Sequence, residues 1–307
     1  MAIYTINSLS ITLALAAAVT FTGFTTTTVF AEPATTNVSV NVEVQQKGAV
    51  NWDKGAESDV TAMGIGLPPE NAGARGTPLA RRAAIVDAYR NLAETIQGVQ
   101  VDSDTVMQDL AIQSDTVRAK VSALVKGARI LEEGTNADGS YFVKMSVPLY
   151  GVSNSVASVA IPELGTPPVP EPLPEVGDTD LTKSEVSEIQ SAAYTGVIIN
   201  AAGLGLEATF SPVIYDVNGR GIYGMRNINP DLAISKGMVE YATNLEKAIT
   251  NSRAGANPLV LNAVAVKGGK NSANKVNVVV SVEDGDKILL ANEKSGMLQN
   301  CAVVFVK

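Results

Sequence analysis

A dense run of prolines divides this chain: six of its 14 prolines lie between Pro162 and Pro174. Proline fixes φ and has no N–H to donate, so such a stretch can neither continue a helix nor pair inside a sheet. It is typical of an extended spacer. The sequence therefore predicts two domains, residues 32–160 and 179–307, joined by a Pro-rich linker at residues 161–178. A Pro-rich recognition peptide for a partner is the alternative interpretation.

The first 31 residues predict a cleaved leader. They contain no charged side chain, and residues 9–19 are all Leu, Ile, Ala, Val, Ser or Thr. This is typical of a signal-peptide core, and small residues before the predicted cleavage site after Ala31 support it, although the usual basic segment is missing. An uncleaved membrane anchor is the alternative, but the run is shorter than the roughly 20 apolar residues of a spanning helix.

Composition removes several classes of function. The chain has no histidine, which excludes Ser-His-Asp and Cys-His catalysis and His-ligated zinc. It has one cysteine, Cys301, which excludes an intramolecular disulfide and a Cys-rich metal cluster, and whose apolar neighbours predict a buried thiol. A net charge of −8 disfavours nucleic acid and anionic membranes as partners. The sequence assigns no catalytic, cofactor-binding or metal-ligating residue and predicts no enzyme and no cofactor.

The residue patterns of the first domain predict an α+β fold. Alternating valines over residues 38–45 indicate a strand with one buried face. Apolar residues at helical spacing predict a helix over residues 77–96 and another around residues 117–124, with Ser114 or Asp115 as its N-cap. Residues 128–133 and 141–147 flank an Asp-Gly turn and predict a hairpin.

The second domain is also predicted to be α+β. A helix is expected over residues 229–251, and a short helix is expected to begin after Ser281, with Asp284 in its first turn. The predicted strands are residues 195–200, a hairpin at 213–223 around Asn218-Gly219, residues 259–266, residues 276–280, and a terminal strand at 301–306.

Three short segments resemble known functional motifs, but each has a simpler structural explanation. Residues 203–208 match a dinucleotide-binding pattern, but extended chain follows where a helix must begin. Residues 272–275 have the spacing of a serine–lysine dyad, yet they lie in a polar loop. Residues 216–219 resemble the start of a calcium loop that lacks its bidentate carboxylate, so we interpret them as a hairpin turn.

Two pairs of adjacent charged residues have side chains of the kind found in functional sites. Arg81 and Arg82 could hold a carboxylate or phosphate in a bidentate manner, although a solvated helix edge is the simpler interpretation. Glu132 and Glu133 are neighbours on a predicted strand and therefore face opposite sides, so they cannot act as an acid/base pair in one site.

The first domain resembles the LPP-twenty family of bacterial envelope lipoproteins and is similar to the N-terminal domain of flagellar assembly protein T, a periplasmic ring component. The resemblance extends over residues 38–151 and is carried by residues 80–94, 96–101, 113–121 and 127–130. It implies an envelope protein that acts by protein–protein contact and has no catalytic residues. No cysteine lies near the predicted cleavage site, so lipid anchoring is not expected. Parts of the second domain resemble a domain that accompanies the first in some envelope proteins.

The sequence therefore favours an exported, non-catalytic protein of the periplasm or outer cell envelope. It would act as a scaffold or assembly factor whose partners are envelope or flagellar proteins. Pairing of the terminal strand with another subunit is a further hypothesis, whereas nucleic acid and membrane anchoring after cleavage are not expected. A peptidoglycan- or glycan-binding module is the alternative, and an enzyme that uses carboxylates alone is a third hypothesis.

Overall fold

The computed structural model describes residues 47–167, 169–177, 181–269 and 272–307. The predicted leader and the strand predicted at residues 38–45 lie outside the described residues. The fold is α+β, as predicted, with two α+β domains in sequence. The elements of the first domain are β1 (Gly48–Asn51), β2 (Asp59–Gly66), α1 (Gly76–Gln97), α2 (Met107–Gln113), α3 (Asp115–Lys126), β3 (Arg129–Thr135), β4 (Tyr141–Pro148) and α4 (Val156–Ala160).

The first domain is an antiparallel sheet with α1 packed on one face. Its strand order is β1-β2-β4-β3. The buried apolar side chains of α1 recur at every fourth position: Ala80, Ala84, Ala88, Leu92 and Ile96. Gly64 of β2 lies directly beneath this face, and a Cβ there would collide with the backbone of Ala84 and Ala88. The small residues on both sides therefore let the helix backbone approach the sheet closely.

Local signals for the first domain are confirmed. The Ser114 hydroxyl accepts a hydrogen bond from Val117 N (3.3 Å) and caps α3. β3 and β4 form the predicted hairpin, in which Gly139 adopts a φ of +84°. The helices α2 and α4 were not predicted, because each is too short to show a helical period in the sequence.

The second domain contains two four-stranded sheets, with strand orders β10-β11-β6-β7 and β8-β12-β5-β9. The second of these is entirely parallel. The elements are α5 (Lys183–Ser191), β5 (Gly196–Asn200), β6 (Ile214–Asp216), β7 (Gly221–Tyr223), α6 (Pro230–Lys236), β8 (Glu240–Ala242), α7 (Leu245–Ile249), β9 (Pro258–Asn262), β10 (Ala265–Lys267), β11 (Asn277–Val280), α8 (Val282–Ser295) and β12 (Val303–Val306).

The single helix predicted over residues 229–251 is wrong. The chain instead forms α6, then β8, then α7. Gly237 ends α6 with a φ of +79°, a conformation favoured by glycine. The next residues enter the parallel sheet beside β12. The buried Arg253 side chain holds this break, since it donates to the carbonyls of Lys236 and Gly237 and pairs with Glu240.

The terminal strand β12 lies in the interior of its sheet. It pairs with β5 on one side and β8 on the other. The hypothesis that this strand offers a free edge to another subunit is therefore wrong. Four β-branched or aromatic residues in succession, Val303 to Val306, are all buried. Such a continuous apolar run is typical of a parallel strand covered on both faces.

The Pro-rich segment joins the two domains but does not hold them apart. Buried residues of both domains belong to one continuous hydrophobic core. The segment lies along the second domain: Glu171 N donates to Arg226 O (2.7 Å), and Asn227 Nδ2 donates to the carbonyl of Pro172 (3.2 Å). This packing corrects the interpretation of the segment as an extended spacer. Prolines still offer carbonyl acceptors, and here neighbouring side chains use them.

Candidate functional site

An aromatic cluster joins the two domains. Trp52 and Tyr150 come from the first domain, and Phe210 and Tyr241 come from the second. The Trp52 ring centroid lies 5.0 Å from that of Phe210 and 6.0 Å from that of Tyr241, in edge-to-face arrangements. The Tyr150 and Phe210 rings are 5.6 Å apart. Edge-to-face pairs add to the stabilisation from burial, so this cluster fixes the domain junction.

Hydrogen bonds reinforce the junction next to the aromatic cluster. Ser211 N donates to Val101 O (3.0 Å), and the Thr209 hydroxyl donates to Gln100 O (3.2 Å). The Gln100 side chain also accepts from Asn274 Nδ2 (3.0 Å). Backbone groups of the first domain thus serve as acceptors for the second domain, and the junction is a specific contact.

An open cleft of about 520 Å³ lies at this junction. The first domain, the Pro-rich segment and the β6–β7 hairpin all contribute to its walls. The lining includes Asp102, Leu164, Glu171, Pro172, Tyr215 and Arg226. These residues combine apolar surface with an exposed ion pair between Arg226 and Glu171 (3.3 Å). The cleft can accommodate an extended polar ligand, and among its described residues no nucleophile, base and orienting group come together.

A buried ion cluster fixes the Pro-rich segment beside this cleft. The Arg220 guanidinium donates to Asp216 (2.9 Å) and to Asp286 (2.7 Å), and both carboxylates are almost fully buried. Arg220 also donates to Glu175 O (3.1 Å), and Asp286 accepts from Gly177 N (3.0 Å). The hairpin, α8 and the Pro-rich segment are therefore held by one cation. Arg220 and Asp286 were not identified from the sequence, because their pairing depends on residues far apart in the chain.

The charged pairs singled out in the sequence have structural roles. Arg81 makes a bidentate contact with Glu133 (2.8 and 3.1 Å), so the carboxylate that it holds is one of this chain's own. Arg82 is exposed. Glu132 pairs with Lys144 of β4. Because side chains alternate along a strand, Glu132 lies on the opposite face of the sheet from Glu133.

The three motif-like segments lie in turns and loops. No helix begins among residues 203–213, so the dinucleotide pattern lacks its phosphate-binding element. The Ser272 hydroxyl accepts from Asn274 N (3.1 Å), while Lys275 is exposed. Asp216 accepts from the N–H groups of Asn218 and Arg220 (both 2.9 Å), which makes it the organising residue of the hairpin turn.

Cys301 is buried, as predicted. Burial raises the pKa of its thiol above the ordinary value. The thiol form is inert toward oxidants and metals, because the thiolate is the reactive species. Cys301 is therefore a core residue.

Three buried tyrosines should resist ionisation. Burial raises the pKa of Tyr150, Tyr223 and Tyr241 well above the ordinary tyrosine value. The folded chain keeps these protons where the unfolded chain loses them, so the free energy of unfolding should fall as the pH rises above about 10. A phenolate absorbance titration should leave at least these three tyrosines unionised until the chain unfolds. Ionisation of every tyrosine near the ordinary pKa in the folded chain would contradict this prediction.

Two possible features are absent from the residues that the structure describes. No three His, Cys, Asp or Glu side chains come together in an arrangement that could hold a metal ion. None of the described helices combines the length and apolar character that a membrane span requires.

Both domains match known protein families. Residues 51–147 match the LPP20 lipoprotein family, so the first domain is an LPP20-type domain. This match indicates an exported, envelope-associated protein. Residues 196–307 match a family described as the second domain of Treponema pallidum Tp0624. No individual curated protein matches the chain.

Proposed function

We propose that this chain is a non-catalytic envelope protein that acts by protein–protein contact, as a scaffold or assembly factor. The main support for this proposal is the domain junction. Aromatic packing and hydrogen bonds join an LPP20-type domain to a second domain there, and an open cleft lies between them. A fixed arrangement of two domains presents one composite surface. Such a surface is suited to recognition of a partner protein.

In-cell crosslinking tests this proposal. A photoreactive residue placed at Arg226, which lines the cleft and is exposed, should capture a defined envelope protein in intact cells. The same residue placed at Val86, on the exposed side of α1, serves as the control. Identical adducts from both positions, or none from either, would count against the cleft as a contact surface. Turnover of a substrate by the purified chain would contradict the proposal as a whole.

A role in flagellar assembly can be tested separately. If the chain assists flagellar assembly, deletion of its gene should impair motility without abolishing export of other envelope proteins. Intact motility together with impaired envelope integrity would instead indicate another envelope assembly.

The glycan-binding alternative receives no support from the tryptophan. Trp52 is the chain's one tryptophan and is only 8% exposed, so its ring cannot stack on a sugar. A pull-down with purified cell wall tests this alternative directly, and retention of the chain would revive it.

A further inference from the structure

The parallel sheet of the second domain has two edges, the three-residue strand β8 and the longer strand β9. Among the described strands, β9 pairs with β5 alone. The carbonyl of Asn257 and the N–H of Ala263, just beyond its two ends, both hydrogen-bond toward β5. Backbone groups alternate sides along a strand, so the groups of Val260 and Asn262 point away from the sheet. They are donors and acceptors available to another strand.

The edge at β9 lacks the charges that usually protect an edge. Residues 254–266 contain no charged side chain. By contrast, the edge strand β3 contains Arg129, Glu132 and Glu133, and its register shifts at a bulge after Ile130. Charges and bulges are the common devices against edge-to-edge pairing. Of these two edge strands, β9 has neither charges nor a bulge, and Pro258 at its first position is its one protective residue.

The net charge of the chain also favours β9 as the place where two copies of the chain contact each other. At a net charge of −8, two copies repel one another over most of their surfaces. An uncharged edge is where this repulsion opposes contact least. An apolar side chain is also available there, because Val260 is 43% exposed at the outer end of the sheet face that α7 packs on.

We propose that β9 pairs antiparallel with β9 of a second copy of this chain, across a two-fold axis at Val260. The inference rests on the proposed function and deepens it by naming one partner. In this register each Val260 N–H donates to the Val260 carbonyl of the other copy. Each Asn262 N–H donates to the other copy's Pro258 carbonyl. Such a contact is self-complementary and therefore closes as a dimer.

Pro258 fits this register. Proline has no N–H, and it is tolerated at the start of an edge strand. Here its carbonyl serves as the acceptor, and only the Asn262 carbonyl opposite lacks a protein donor and keeps its bond to water. A five-residue strand buries less than a standard interface, so we expect a dimer that forms in the micromolar range.

Sedimentation velocity of the purified chain tests the pairing. The unaltered chain should show a concentration-dependent monomer–dimer equilibrium. Val260→Lys places two like charges opposite each other and should weaken the dimer by about tenfold or more. Val217→Lys, at the exposed tip of the β6–β7 hairpin, is the matched control and should leave the equilibrium unchanged. A chain that stays monomeric throughout the micromolar range, or equal loss of dimer in both variants, would overturn the proposal.

A crosslinking measurement covers the possibility that the lysine variant does not fold. Val260→Cys should give covalent dimers with a short bis-maleimide, whereas Val217→Cys should not. Cys301 is fully buried and so should contribute no background. Equal crosslinking of the two variants would contradict the two-fold contact. These measurements use the purified chain alone, so failure of the pairing is distinguishable from failure to find partners in cells.

Discussion

Replacement of Arg220 by Met should lower the free energy of unfolding by about 3–5 kcal/mol. The substitution leaves the buried carboxylates of Asp216 and Asp286 without their cation. Among the residues that the structure describes, Oδ2 of Asp286 already has no hydrogen-bond partner, so none of them offers a spare donor that compensates for the loss. The Pro-rich segment also loses the donor to Glu175 O. Chemical denaturation followed by circular dichroism measures the effect.

Two further variants separate the ion cluster from a general effect of removing an arginine. Arg118→Met removes an exposed ion pair with Asp115 and should change stability by less than about 1 kcal/mol. The double variant Arg220→Met/Asp286→Leu removes one stranded carboxylate and should be more stable than Arg220→Met alone. If Arg220→Met costs no more than Arg118→Met, the cluster does not stabilise the fold as we infer.

Replacement of Trp52 by Ala should cost about 3–5 kcal/mol and uncouple the two domains. Trp52 contacts aromatic rings of both domains, so its removal leaves a cavity at the junction itself. We expect the unaltered chain to unfold in one transition, in which Trp52 fluorescence and far-ultraviolet circular dichroism coincide. In Trp52→Ala, calorimetry should resolve two transitions, because each domain keeps its own sheets.

Trp52→Phe is the conservative comparison for this prediction. It retains an aromatic ring at the junction and should lose less stability while keeping a single transition. A single cooperative transition in Trp52→Ala with little change in stability would show that the junction is held by contacts other than the aromatic cluster.

Local sequence signals predicted the local structure well. Asp138-Gly139 and Asn218-Gly219 lie in hairpin turns, where Gly139 and Gly219 both adopt a φ of +84°. The Ser281 hydroxyl accepts from Asp284 N (3.0 Å) and caps α8 as expected. These features depend on residues that are close in the chain, so short-range hydrogen bonding and steric restriction determine them.

Tertiary contacts overrode the local signals in the second domain. Residues 229–251 have a helical pattern, yet Glu240 to Ala242 form a strand because β12 offers a paired edge beside them. The strand predicted over residues 259–266 is divided between two sheets for a similar reason: Ala263 N donates to Asn200 O, whereas Val264 N donates to Val279 O. Parallel pairing joins distant segments, so no local pattern can specify it.

Local pattern and long-range packing therefore determined different features of this protein. The α+β class, the order of the two domains, the capped helices and turns, and the absence of histidine chemistry follow from composition and short-range pattern. Long-range packing places the Pro-rich segment against the second domain, β12 inside its sheet and β9 at an edge, and it brings Asp286 to Arg220. The physical reason is that burial, strand order and ion pairing are properties of residues brought together from far apart in the chain.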